Sequence, residues 1–221
     1  MIEIFGRILP EAVAYTLNPT PIVVLILLLT TAGALRVAAM FLAGWFVSCL
    51  AVVLVLLVVG GSWLGDVSTQ AEAVGKLCLG VLFAILAVLE WINRPKPGKP
   101  DKQAELIKKL DGITPGAGFA TGAAMPITNL KNISISAAVV YQLAFFDATV
   151  MESIFGIATL IIVGSATLII PFVIYLVGRE RVAPVLHEWR DWLVKNDTAI
   201  LLVVLCLLSA VSFGEAIEGL S

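Results

Sequence analysis

Residues Pro10–Thr31 read PEAVAYTLNPTPIVVLILLLTT, an apolar run interrupted near its middle by Asn18-Pro19-Thr20-Pro21. A hydrocarbon core about 30 Å thick is crossed by about 20 helical residues, so this interruption falls inside a crossing and not at its end. Proline lacks an amide proton and displaces the carbonyl one turn before it, which leaves polar backbone groups that lipid cannot satisfy. A similar combination recurs once: Pro126-Ile127-Thr128-Asn129-Leu130-Lys131-Asn132 interrupts the apolar stretch from Gly116 to Phe146. The reading of the whole chain turns on these two places.

Four further apolar runs extend from Val37 to Gly61, Ala73 to Ile92, Ile154 to Val177 and Thr198 to Gly214. Six crossings result, three on each side of a Pro/Lys-rich connector, and the first of each three carries the interruption. An odd number of crossings per half sets the halves in opposite orientations, the pattern of inverted repeats. At an offset of 105, Pro10 matches Pro115 and Pro21-Ile22 matches Pro126-Ile127. The expected fold is an all-α integral membrane protein of six transmembrane helices, arranged as two inverted three-helix repeats with broken or re-entrant first helices. It forms a single membrane domain: residues 1–93 are the first half, 94–111 a cytoplasmic linker with an amphipathic helix, and 112–221 the second half. The first run has neither an Arg/Lys-rich start nor a small-residue cleavage site, so it reads as a crossing and not as a cleaved signal peptide.

Composition agrees. Charged residues make up 14% of the 221 and apolar ones 60%, which excludes a water-soluble globule and a disordered chain. A formal net charge of −2 leaves no surplus of cations for phosphates, so nucleic acid is not an expected partner. The cations are unevenly placed. Arg36, six residues between Arg94 and Lys109, and Arg179, Arg181, Arg190 and Lys195 fall on one side of the crossings, whereas Arg7 and Lys76 fall on the other among acids. Cytoplasmic loops retain Lys and Arg, so both termini are expected outside.

In the linker, Asp101 can cap a helix with Leu106, Ile107 and Leu110 on one side. In the fifth loop, Val185, Leu186, Trp189, Trp192 and Leu193 form an apolar helix face. Both are expected to lie on the membrane surface or to dock a partner protein. Cys49, Cys78 and Cys206 are far apart in predicted spans and read as buried small apolar residues. No Cys-x-x-Cys pair, phosphate-binding loop or ligand set around His187 is present in the sequence, so no metal and no cofactor is expected. Glu11 and Glu90, the acids near span interiors, form no acid and base pair with a nucleophile, which argues against an enzyme.

The candidate site is the pair of interruptions. Asn18, Pro19, Thr20 and Pro21 from one half and Thr128, Asn129, Lys131 and Asn132 from the other are the expected substrate-binding residues, since broken helices in matched positions are where transporters hold cargo. A lysine at bilayer depth costs about 2.5–3.5 kcal/mol on insertion scales, which makes Lys131 the sharpest candidate. As one straight crossing Gly116–Phe146 would be too long, so a break near Pro126 with Lys131 facing an internal cavity is expected. Gly118 and Gly122, at small-xxx-small spacing, are expected to pack closely on another helix.

These residues carry a family resemblance. Leu17-Asn18-Pro19-Thr20-Pro21-Ile22, then Thr30-Thr31-Ala32-Gly33 and Phe41-Leu42-Ala43-Gly44-Trp45, resemble the opening of the LysE superfamily of six-span exporters, and Asn129-Leu130-Lys131-Asn132 is similar to its Asn-Pro-Lys-Asn signature. The best match is the actinobacterial GAP group of sulfolipid-1-addressing or glycopeptidolipid-addressing proteins, over essentially the whole chain. Leu130 departs from the signature by replacing proline. The resemblance implies export or transfer of a lipid or glycolipid across the bacterial inner membrane. Export of a small solute such as an amino acid, and a non-transporting adaptor for envelope-lipid synthesis, are the two alternatives. Expected partners are the lipid or glycolipid cargo and membrane lipids, together with a second copy of the chain or envelope-synthesis enzymes.

Overall fold

The computed structural model describes residues 2–29, 34–61, 69–92, 94, 112–146 and 148–220. The expected linker helix at 95–111 and the Thr30-Thr31-Ala32-Gly33 turn lie outside the described residues. The remainder is helical: α1 (Ile2–Thr16), α2 (Pro19–Leu29), α3 (Ala34–Gly61), α4 (Thr69–Ile92), α5 (Pro115–Thr128), α6 (Leu130–Phe145), α7 (Val150–Gly164), α8 (Ala166–Gly178) and α9 (Ala183–Leu220), with a 3₁₀ turn at Arg179–Val182. Among the described residues three stretches, Leu35–Val59, Ala73–Ile92 and Thr198–Gly219, are each long and apolar enough to cross a membrane. Two bent pairs, α1 with α2 at 58° and α7 with α8 at 57°, bring the number to five if each pair is one crossing. The sixth expected crossing, Gly116 to Phe146, is divided between α5 and α6.

Helix interruptions are present at both expected places. The residue before a proline is pushed out of helical conformation, so α1 stops at Thr16 and α2 restarts with Pro19 as its first residue. In the second half Asn129 is extended, with φ −94° and ψ 105°, and its side chain accepts a hydrogen bond from the Lys131 amide at 3.0 Å. Asn129 thus ends α5 and caps α6. Leu130 occupies the first helical position, the place where a proline would also fit, so its departure from the signature leaves the break intact. The break falls at Asn129, three residues beyond Pro126, which lies inside α5. Asn18-Pro19 and Asn129-Leu130 therefore correspond at an offset of 111. The identities at an offset of 105 do not correspond in space, because Pro21 follows its break and Pro126 precedes its own.

Helices before and after the connector pack against one another. α1 runs along α7, α5 runs along α3, and α4 runs along α9. The α3–α5 contact rests on glycine, as expected for Gly118 and Gly122: a Cβ on Gly118 would meet the Val37 carbonyl oxygen at 2.9 Å, and one on Gly122 would collide with the Phe41 carbonyl oxygen. Gly44 on α3 answers from the opposite side, where a Cβ would strike the Phe119 carbonyl. In the α1–α7 contact Gly164 receives the Tyr15 ring and Gly156 receives Ile8. Without a hydrophobic force between helices in lipid, such close approach supplies much of their association. Across α4 and α9, Ser209 donates to the Gly80 carbonyl at 2.9 Å and Lys76 pairs with Glu215 at 3.3 Å.

Three sequence expectations are corrected. The run from Ile154 to Val177 is not one straight crossing. It begins at Val150, behind a Thr149–Glu152 capping box, and bends at Ser165. Gly/Ser pairs are sites of sharp kinks, and Gly164-Ser165 is such a pair. The apolar face of the fifth loop is not a separate surface helix. From Val185 to Phe213 the sequence holds no glycine or proline, so the helix continues without interruption into the last span as the 38-residue α9. Leu186 is fully buried, and Trp189, Trp192 and Leu193 line an apolar groove with Ile22, Ile170 and Pro171. Finally, only Cys49 is buried, whereas Cys78 and Cys206 are exposed on the outer faces of α4 and α9.

Candidate functional site

The two breaks meet. Asn18, freed from helical geometry by Pro19, is 4% exposed and donates from Nδ2 to Oδ1 of Asn132 at 3.4 Å. Asn132 is 1% exposed and lies on the first turn of α6, three residues beyond the second break. This bond joins residues 114 apart in sequence, one from each half. Asn132 Nδ2 is buried without a hydrogen-bond partner.

Beside this bond lies a pocket of about 300 Å³ lined by Asn18, Thr20, Pro21, Met125, Thr128, Asn129 and Leu130. Five of the expected site residues thus form its wall, and they come from both breaks. Pro19 opens α2 between two of them. The Thr128 hydroxyl donates to the Ala124 carbonyl at 2.9 Å, one turn back in α5, so it faces the pocket with its acceptor lone pairs still available. Lys131 and Asn132 are not in the wall. Lys131 is 7% exposed, enclosed by protein and not extended along the surface, and follows the wall residue Leu130 in sequence. α6 starts at Leu130, so Lys131 and Asn132 follow on its first turn, both buried.

Further polar groups continue from the site into the interior, and the sequence did not single them out. Thr16, the last residue of α1, has a carbonyl with no helical partner ahead of it, and Thr167 of α8 donates to it at 2.9 Å. The Trp45 indole donates to Ser165 Oγ, the kink residue between α7 and α8, at 2.9 Å. Tyr15 stands edge-on to Trp45, with ring centroids 6.1 Å apart, and its hydroxyl pairs with Cys49 Sγ at 3.2 Å. The first break and the unforeseen Ser165 bend are therefore stitched together. Trp45, within Phe41-Leu42-Ala43-Gly44-Trp45, was the one available signal, since a buried indole N–H requires an acceptor.

A multi-pass helical membrane protein, with an asparagine at one helix break hydrogen-bonded in the interior to an asparagine on the first turn after the other, is the class that this fold and site define. The chain belongs to the SfLAP family, that of Sap, the sulfolipid-1-addressing protein, whose family model matches residues 8–218. That family connects the chain with the addressing of sulfolipid or glycolipid. No curated protein and no solved structure matches the chain.

Proposed function

We propose that the protein moves a lipid or glycolipid across the bacterial inner membrane, with the cargo headgroup held where the two helix breaks meet. The observation that carries this reading is the pocket walled from both breaks by Asn18, Thr20, Thr128 and Asn129. Amide and hydroxyl groups suit an oxygen-rich headgroup, and a buried lysine next in sequence to the wall residues Asn129 and Leu130 favours an anionic one. Membership of the SfLAP family supports lipid cargo over a small solute.

The architecture that goes with this reading is six crossings in two inverted halves. It is supported by the reciprocal contacts of α1 with α7 and α5 with α3, and by the Asn18–Asn132 bond, which pairs corresponding breaks. Loops with the cation excess are then cytoplasmic and both termini outside. A cysteine placed at Lys102 in a Cys-free background should resist a membrane-impermeant maleimide in intact cells and react after lysis. Reaction in intact cells would reverse the orientation.

Asn129→Asp tests the headgroup site. Aspartate is as good a helix N-cap as asparagine, so α6 should still start at the same place while a negative charge enters the pocket wall. Protein purified in mild detergent is expected to carry a native anionic lipid, identified by mass spectrometry, and Asn129→Asp to lose most of it at an unchanged melting temperature. Equal lipid in both proteins would remove the pocket from the mechanism.

A further inference from the structure

Away from the breaks, a carboxyl and an amide face each other in the interior. Glu11 of α1 is 9% exposed, and Gln142 of α6 donates from Nε2 to its Oε1. Two atoms of this pair remain: Glu11 Oε2 and Gln142 Oε1 are both buried without a hydrogen-bond partner. Both are acceptors if Glu11 is ionised, and a buried acceptor left without a donor is costly. A single proton resolves both at once. A carboxylic acid and a primary amide are complementary head to head, the amide N–H to one acid oxygen and the acid O–H to the amide oxygen. The first of these two bonds is already in place.

We propose that Glu11 and Gln142 form a proton-binding site in the membrane region, with the proton carried on Glu11 Oε2 and donated to Gln142 Oε1. The proton comes from water and returns to water when α1 and α6 part, because only then does a solvent acceptor replace the amide oxygen. The site therefore ties proton release to separation of two helices from opposite halves, which adds a coupling group to a transporter without depending on what the cargo is. The charged and titratable groups around it are identifiable. Arg7 lies one turn before Glu11, with its guanidinium 3.8 Å from the centroid of the Phe146 ring. Tyr15 lies one turn after and is bound to Cys49. Lys131 and Tyr141 are the titratable residues of α6, Glu152 that of α7, and Glu215 of α9 is paired with Lys76. A small pocket beside Gln142 is lined by Ile4, Arg7, Ile8, Gln142, Leu143, Phe146 and Ala148, none of them an acid.

Infrared spectroscopy of the purified full-length protein at neutral pH tests the proposal. A protonated carboxyl gives a carbonyl band apart from those of carboxylates, and the wild type should display one. Glu11→Gln should abolish that band while melting as the wild type does, because an amide reproduces both bonds of the neutral pair. Gln142→Leu keeps the acid and removes its partner, so it should move the band to higher frequency. That second variant assigns the band even if Glu11→Gln does not fold. A wild-type spectrum without the band, or a band that neither substitution alters, overturns the proposal. Lipid retention in Asn129→Asp is read separately, so failure here is distinguishable from failure of the headgroup site.

Discussion

Gly122→Ala is expected to lower the melting temperature sharply. The Cβ would collide with the Phe41 carbonyl oxygen, and neither atom can rotate away because one belongs to the α5 backbone and the other to that of α3. The helices must separate, which removes the close approach of Gly118 and Gly44 along the same contact. Overpacking in well-packed interiors costs about 1–3 kcal/mol, and a backbone clash belongs at the upper end of that range. Gly214→Ala is the control. A Cβ there meets nothing within 4 Å, so the helix propensity of alanine should leave α9 as stable or better by up to about 1 kcal/mol. Thermal melts of both variants in one detergent, read by circular dichroism, decide it. Equal melting temperatures would mean that α3 and α5 do not meet on glycine.

Much of this arrangement was legible because lipid leaves few alternatives. Apolar runs of crossing length can only be helices, and Asn18-Pro19 inside one of them dictates where the helix stops and restarts. The glycine spacing at 118 and 122 pointed to a close contact for an equally local reason. What escaped notice depends on groups far apart in sequence or on the absence of a signal. Gly164-Ser165 lies within an unbroken apolar run, and its bend is held by Trp45 and Thr167 reaching Ser165 and Thr16. The continuity of α9 rests on the lack of any breaker between Val185 and Phe213, while its tryptophans drew attention to amphipathicity instead. Glu11 is legible as an acid within a span, but its partner Gln142 stands 131 residues away on another helix. At the candidate site the residue types indicated where the helices are interrupted, but residue types alone do not fix where a side chain such as Lys131 points, because a one-residue difference in where α6 begins turns it by about 100°.

Lys131→Met is expected to abolish delivery of the cargo to the outer surface while leaving the melting temperature unchanged or slightly higher. The stem of lysine is largely retained by methionine, so packing around this buried residue changes little. The helix start does not depend on the ammonium either, since Asn129 caps the Lys131 backbone amide and not its side chain. Nor does the change strand Glu11, whose hydrogen bond goes to Gln142. Removing a charge from the interior relieves a desolvation cost of about 2.5–3.5 kcal/mol on insertion scales, which offsets whatever favourable contacts the ammonium makes. Its loss is therefore felt where a negative headgroup would approach the pocket, through the field beside Asn129 and Leu130. Lys131→Arg keeps that field and should retain part of the delivery, provided the larger guanidinium fits. The measurements are cargo at the cell surface in a strain complemented with each variant, and the melting temperature of each purified protein. A melting temperature that falls by the equivalent of about 3–5 kcal/mol would instead identify Lys131 as half of a structural ion pair, and normal delivery by Lys131→Met would take the ammonium out of the transport mechanism.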